Sequence, residues 1–314
     1  MKRFKKWGAV VLAMACFVSM TGCGKKKEDT KKETTEQVVD TSSEASEKET
    51  TKETVKVNKE IDPATLKAGD SYFLGKYEQD GDTGNGAEDI EWIVLSVEDG
   101  KVLLISKYGL DAKAFQDFEG PSHPKGVTWE NCSLRKWMNN DFFNTAFSDE
   151  EKAMIPEVTL VNSGNEMFGT PAQNDTKDKV FCLSIEEVQK YFGESTYTME
   201  DGAYSHYEKT ICIPTQNAIN NHVTTYAMDE YTYGTVYEGN VKYSSFLSKE
   251  VVDLVHSEWW LRTPGSPEGE YDGSKACFVG TLGAVGFSIC NDVEFPGYAV
   301  RPAIYIEVAA KAEK

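Results

Sequence analysis

A break in composition near residue 60 constrains this 314-residue chain more than any other feature. From Gly24 to Glu60 the sequence is mostly Lys, Glu, Thr and Ser, with no aromatic residue and few aliphatic ones. Such a segment cannot bury enough apolar surface to offset the entropy lost on ordering, so residues 23–60 are expected to be a disordered tether. As a flexible coil of about 37 residues it would span roughly 30 to 35 Å on average. Everything able to build a core lies between Ile61 and Val308, a length that suits one large domain and is short for two. Residues 309–314 are read as a tail.

Ahead of the tether, Lys2, Arg3, Lys5 and Lys6 precede an apolar stretch from Trp7 to Met20, and small residues follow. These are the parts of an export signal over residues 1–22. The apolar stretch is shorter than the about 20 residues that a membrane-spanning helix needs. Met20-Thr21-Gly22-Cys23 resembles a bacterial lipobox, with Met20 where leucine is usual. That resemblance implies a diacylglyceryl group on Cys23, cleavage just before it, and attachment to the outer, extracytoplasmic face of a bacterial membrane. Two acyl chains anchor durably where one does not.

Loss of the signal removes four positive charges and takes the formal net charge from −18 to −22. So acidic a chain is not expected to bind nucleic acid or anionic head groups through charge, since both depend on clustered Lys and Arg. Besides Cys16 in the signal and Cys23, the chain holds Cys132, Cys182, Cys212, Cys277 and Cys290. An odd number in a domain of this size points to buried thiols that act as small apolar side chains. A bridge between Cys277 and Cys290 is left open.

The globular part starts in strands. Ser71–Tyr77 reads as a short strand, and Ile90–Val97 with Val102–Ser106 reads as a hairpin turning at Asp99-Gly100, which supplies the positive φ angles of a tight turn. Leu134, Trp137, Met138, Phe142, Phe143, Ala146 and Phe147 recur at helical spacing. Ser148 with Glu151 and Ser184 with Glu187 form capping boxes that open two further helices. Another helix is expected over Lys249–His256. Strands return at Ala276–Val279, Val285–Ile289 and Tyr298–Glu307, the last on an edge or bulged at Pro302, which cannot donate to a ladder. Strands at both ends with helices between them predict a single mixed α+β domain whose N- and C-terminal strands pair.

Five motifs resemble, in order, a domain-of-unknown-function family of bacterial surface lipoproteins: Ile90–Leu95, Leu104–Asp111, Trp129–Trp137, Trp259–Gly265 and Val300–Ala303. The likeness runs from about Gly69 to Ile306 and implies no established activity. The ending, in which Trp259-Trp260-Leu261-Arg262 precedes glycines and a Val-Arg-Pro strand, is similar to C-type-lectin-like folds, including the formylglycine-generating-enzyme type. The oxidase form of that fold holds copper on two closely spaced cysteines; Cys277 and Cys290 are too far apart in sequence for that pattern.

Motifs for chemistry are sparse. His123, His206, His222 and His256 stand in no recognisable context, no Gly-x-Ser-x-Gly elbow occurs, and no His-x-x-x-His or Cys-x-x-Cys spacing suggests a metal. The loop with Asp80, Asp82, Asn85, Glu88 and Asp89 is rich in oxygen ligands but departs from the EF-hand at Gly84 and Asn85. Asn291 and Asp292, beside Glu294, resemble the calcium ligands of lectins, which leaves bound calcium open; no cofactor or metal ligand is assigned.

Eight of the fifteen tyrosines lie between Tyr197 and Tyr243, amid Asn, Thr, Gly and acidic residues. Tyrosine offers a large apolar face and a polar tip, which suits binding of glycans or proteins. Trp92, Trp129, Trp137, Trp259 and Trp260 sit in apolar runs and are read as core. Arg262 and Arg301 flank apolar strands and need partners if buried; a carboxylate such as Glu91 is expected. The chain thus reads as a non-enzymatic surface module for an extracellular glycan or protein, anchored through Cys23. Ligand contacts are expected at Tyr226, Tyr231, Tyr233, Tyr237, Arg262, Asn291 and Asp292, and no catalytic residue is assigned. The alternative is an extracytoplasmic, hydrolase-like enzyme.

Overall fold

The alternation of buried and exposed side chains along Ser71–Tyr77 and Glu88–Glu98 makes two strands that pair antiparallel, Tyr72 opposite Trp92. The computed structural model describes residues 61–118, 124–193, 210–227, 255–267, 275–280, 283, 285–286 and 290–308. In chain order the first strands are β1 (Ser71–Tyr77), β2 (Glu88–Glu98), β3 (Lys101–Ser106), β4 (Asp111–Ala112), β5 (Val158–Leu160), β6 (Thr176–Asp178) and β7 (Val180–Phe181). They are followed by β8 (Thr225–Ala227), β9 (Val255–Ser257), β10 (Trp259–Pro264), β11 (Lys275–Val279), β12 (Cys290–Asp292), β13 (Ala299–Val300) and β14 (Ala303–Glu307). The helices are short: α1 (Ser133–Trp137), α2 (Phe143–Ala146), α3 (Asp149–Met154), α4 (Ile185–Phe192) and α5 (Gln216–Asn220). The result is a mixed domain, mostly strands with a few helices.

Among the described residues two five-stranded sheets carry the architecture, one in the order β1-β2-β3-β14-β7 and the other β12-β11-β10-β13-β4. The β2–β3 hairpin turns at Asp99 (φ 52°) and Gly100 (φ 72°), both left-handed, as a two-residue turn requires. The C-terminal strand β14 lies antiparallel to β3, with Ala303 opposite Ile105 and Glu307 opposite Lys101, so the two ends of the domain pair. In the second sheet β10 runs parallel to β13, and its other partner β11 is antiparallel.

The stretch Tyr298–Glu307 is not one strand. Pro302 falls between β13 and β14, at the point where the chain leaves one sheet and enters the other. Its carbonyl accepts from the Ser106 amide at 2.9 Å, so the residue that cannot donate serves as an acceptor at the crossover. Of the two alternatives, edge or bulge, the edge is ruled out, because β14 lies between β3 and β7; the irregularity falls at Pro302 itself. The helix expected over Lys249–His256 is also corrected at its end. Val255–Ser257 is extended as β9, with His256 and Ser257 buried and Val255 exposed, and residues 249–254 lie outside the described residues.

Both capping boxes form. Ser148 and Ser184 accept from the Glu151 and Glu187 amides, and each glutamate reaches back to the capping residue's own N–H. The helical stripe is realised as α1, a π-helical stretch at Met138–Phe142, and α2, which bury Leu134, Met138, Phe142, Phe143 and Ala146. Next to it Phe147 stacks on Trp92 at 6.2 Å, and the Trp92 indole N–H donates to the Leu74 carbonyl at 2.8 Å. Gly75 makes this approach possible: at φ 72° a Cβ would stand 2.7 Å from the Ala146 carbonyl and the Phe147 ring. Trp92, Trp129, Trp259 and Trp260 are buried in the core, and Trp137 packs half-buried against it.

Candidate functional site

The second sheet gathers polar and aromatic side chains at one end, and the pairing of β8 with β9 begins that assembly. Tyr226 stands opposite His256 in this pair, which sets it beside Glu258, the residue between β9 and β10. The Tyr226 hydroxyl donates to Glu258 Oε2 at 3.2 Å, while the residue as a whole stays 39% exposed. The Ala299 amide donates to the Glu258 carbonyl at 2.8 Å, and Thr224 donates to the Gly297 carbonyl at 2.7 Å. These backbone bonds bring Tyr298 against the same carboxylate.

Tyr298 is buried in an aromatic cluster, its ring 4.6 Å from Trp260, 4.5 Å from Phe278 and 4.7 Å from Phe295. Phe278 and Phe295 are half-buried, so the cluster reaches the surface through them. The Asn291 amide donates to the Tyr298 hydroxyl at 3.0 Å, and its own carbonyl oxygen accepts from the Asp292 amide at 2.9 Å. The Asp292 carboxylate stands 3.8 Å from the Lys275 ammonium on β11. Burial and then the Glu258 carboxylate push the Tyr226 hydroxyl above its ordinary pKa, and the same two causes act on Tyr298. Two tyrosine hydroxyls therefore face one carboxylate and remain protonated donors at neutral pH.

Of the residues expected to bind a ligand, the fold brings Tyr226, Asn291 and Asp292 into this one neighbourhood, linked through Glu258 and Tyr298. Tyr231, Tyr233 and Tyr237 lie outside the described residues, as does Cys23. Arg262 belongs elsewhere. It is 4% exposed on β10, with its guanidinium forked onto Glu187 of α4. It also donates to the Cys182 carbonyl at 2.9 Å and to Asn162 Oδ1 at 3.2 Å. The Arg262–Glu187 pair forms one wall of a groove of about 710 Å³ that Glu98, Lys101, Glu157 and Tyr305 also line.

The expected partner Glu91 is instead bound to Lys107 at 2.9 Å. Glu187 takes Arg262 because α4 opens beside β10, through the bond from the Ile185 amide to Thr263 Oγ1 at 3.0 Å. Arg301, 1% exposed, donates to the backbone carbonyls of Ser106, Thr210 and Lys107 and lies over the Trp259 ring, so carbonyls serve where a carboxylate was expected.

The acidic loop before β2 places carboxylate oxygens of Glu78, Asp80 and Glu88 within 4.8 Å of one another. They are engaged locally: Asp80 accepts from Asn85 and from the Asp82 amide, Glu88 from the Gln79 amide, and Asp89 pairs with Lys76. Asp292 pairs loosely with the Lys275 ammonium at 3.8 Å, and among the described residues the only cluster of three acidic ligands within reach of one another is the one at Glu78, Asp80 and Glu88. His256 is buried within β9, and His222 is exposed in a left-handed turn after α5.

Glu258, Phe278, Phe295 and Tyr298 escaped the sequence reading. Glu258 carried a usable signal, since it is the one charged residue directly ahead of the apolar Trp259–Leu261 run. The three aromatics carried none, because they converge only through the order of the strands.

Residues 99–308, about two thirds of the chain, match a family described as a domain of unknown function (DUF6273). The match runs from the β2–β3 turn to the end of β14 and includes every residue of the aromatic end of the second sheet. No curated protein and no solved structure matches the chain.

Proposed function

This chain belongs to that domain-of-unknown-function family, and on that premise we propose a lipid-anchored bacterial surface protein that binds an extracellular glycan through the Tyr226–Glu258–Tyr298–Asn291 end of the second sheet. The observation that carries this reading is the meeting of Tyr226, Glu258, Tyr298 and Asn291 beside half-exposed Phe278 and Phe295. A sugar ring has apolar C–H faces that stack on aromatic side chains and vicinal hydroxyls that pair with a carboxylate or amide. This surface offers both chemistries. Glu258 and Asp292 repel an anionic sugar, so a neutral glycan fits best.

The lipobox at Met20–Cys23, the polar tether and the strongly acidic charge support placement outside the cell. A C-type-lectin-like reading of the domain is supported by the return of β14 beside β3 and by the buried Trp259-Trp260 strand. The test is a glycan array probed with the detergent-solubilised full chain. Retention of neutral glycans that Tyr226→Ala loses is the expected result. Capture of proteins alone, with every glycan left unbound, would move the ligand class to protein, and no retained ligand of either kind would end the binding reading.

A further inference from the structure

Cys277 on β11 and Cys290 on β12 stand directly opposite each other in an antiparallel pair, flanked by Ala276 opposite Asn291 and Lys275 opposite Asp292. Directly opposed residues of such a pair point to the same face, with Cα atoms about 4.5 to 5.5 Å apart. That spacing lies within the about 4.4 to 6.8 Å that a disulfide spans. Two further contacts place both side chains on one side of the sheet. The Cys277 thiol donates to the Pro264 carbonyl at 3.4 Å, and Cys290 Cβ packs at the next residue, where a Cβ built on Gly265 would come within 2.6 Å of it.

The two thiols differ in access. Cys277 is fully buried, as are Cys132, Cys182 and Cys212, whereas Cys290 is half-exposed. Solvent therefore reaches the pair through Cys290.

We propose that Cys277 and Cys290 form a dithiol–disulfide couple that locks the β11–β12 hairpin by exchange with a small-molecule disulfide. The Cys290 thiolate attacks one sulfur of the oxidant, forming a mixed disulfide and releasing one thiolate. Cys277 then gives up its proton, attacks Cys290 Sγ and expels the second thiolate. Two protein thiols are oxidised, one external disulfide is reduced to two thiols, and the two protons lost by the protein go to the two released thiolates. Burial, then the neighbouring Cys290, pushes the Cys277 thiol up to about 12. A thiol of such high pKa is a poor leaving group, so the closed bridge resists reduction.

The bridge has a structural consequence. Among the described residues β12 is a three-residue edge strand paired with β11 alone, and a cross-link fixes the register that holds Asn291 and Asp292. The couple does not depend on what that surface binds.

The full chain, reduced and then treated with oxidised glutathione, is alkylated and mapped by mass spectrometry without reduction. A Cys277–Cys290 linked peptide, lighter by two hydrogens, is expected, with a Tm several degrees above the reduced form that dithiothreitol brings back down. Alkylated thiols at both positions, or a lasting glutathione adduct on Cys290 of the unaltered chain, would overturn the proposal. Cys277→Ser should arrest at that Cys290 adduct, and Cys290→Ser should leave Cys277 unreacted. If either variant misfolds by circular dichroism, the map of the unaltered chain decides alone.

Discussion

Tyr226 donates its hydroxyl to Glu258 at 3.2 Å across 32 residues of sequence, and this bond links the short β8 strand to the aromatic end of the second sheet. Because Tyr226 is half-exposed, its loss should change binding more than stability. Tyr226→Phe keeps the ring and loses one bond to a charged acceptor, worth about 1.5 to 3 kcal/mol at most when buried and less here. A loss in glycan affinity of about 3- to 10-fold is expected for the phenylalanine variant, and near-complete loss for Tyr226→Ala, with Tm changed little in both. Titration calorimetry against a retained glycan measures the first effect and thermal denaturation the second.

Arg262 and Glu187 predict the opposite balance. Removing one side of a buried pair strands the other charge, which costs about 3 to 5 kcal/mol. Arg262→Met should therefore lower Tm by about 6 to 20 °C, at the scale of about 2 to 4 °C per kcal/mol for a domain of this size. Adding Glu187→Gln, which keeps an N3 side chain able to cap α4, should recover part of the loss. Thermal melts of the single and double variants decide it; equal destabilisation by both would contradict the coupling.

Alkaline pH should destabilise the reduced protein. Burial pushes the Cys132 and Cys277 thiols from 9.0 up to about 12. Between those values the unfolded chain loses protons that the folded chain keeps, so stability is full below about pH 9 and falls as pH rises toward about 12. The slope is at most roughly 1.4 kcal/mol per pH unit for each thiol. Urea midpoints under reducing conditions, measured at about pH 8 and about pH 10.5, should drop accordingly, and an unchanged midpoint would contradict the burial of these thiols.

Cys23→Ala should abolish incorporation of radiolabelled palmitate and release the chain from the membrane fraction. Labelling that survives the substitution would refute the lipid anchor.

Features set by neighbouring residues were readable in advance. The Asp99-Gly100 turn, the capping boxes at Ser148 and Ser184 and the apolar embedding of Trp92 and Trp259 all follow from local geometry or hydrophobicity. Arg262 shows where such reasoning stops. Its partner lies 75 residues away and was already accounted for as a helix cap, so nothing local points from one to the other. That Pro302 cannot donate follows from its ring alone, but which sheets its two flanking strands join depends on the whole topology. Tyr298 and Glu258 meet for the same reason: β10 and β13 run side by side, an arrangement with no signature in either segment.

We propose above all that the Tyr226–Glu258–Tyr298–Asn291 surface binds a neutral glycan. The most direct measurement is binding of the full chain to an array of neutral and acidic glycans, repeated with Tyr226→Ala and Asn291→Ala after their folding is verified. Selective retention of neutral glycans, lost by both folded variants, is the expected result. Retention unchanged in the variants, or confined to acidic glycans, would contradict it.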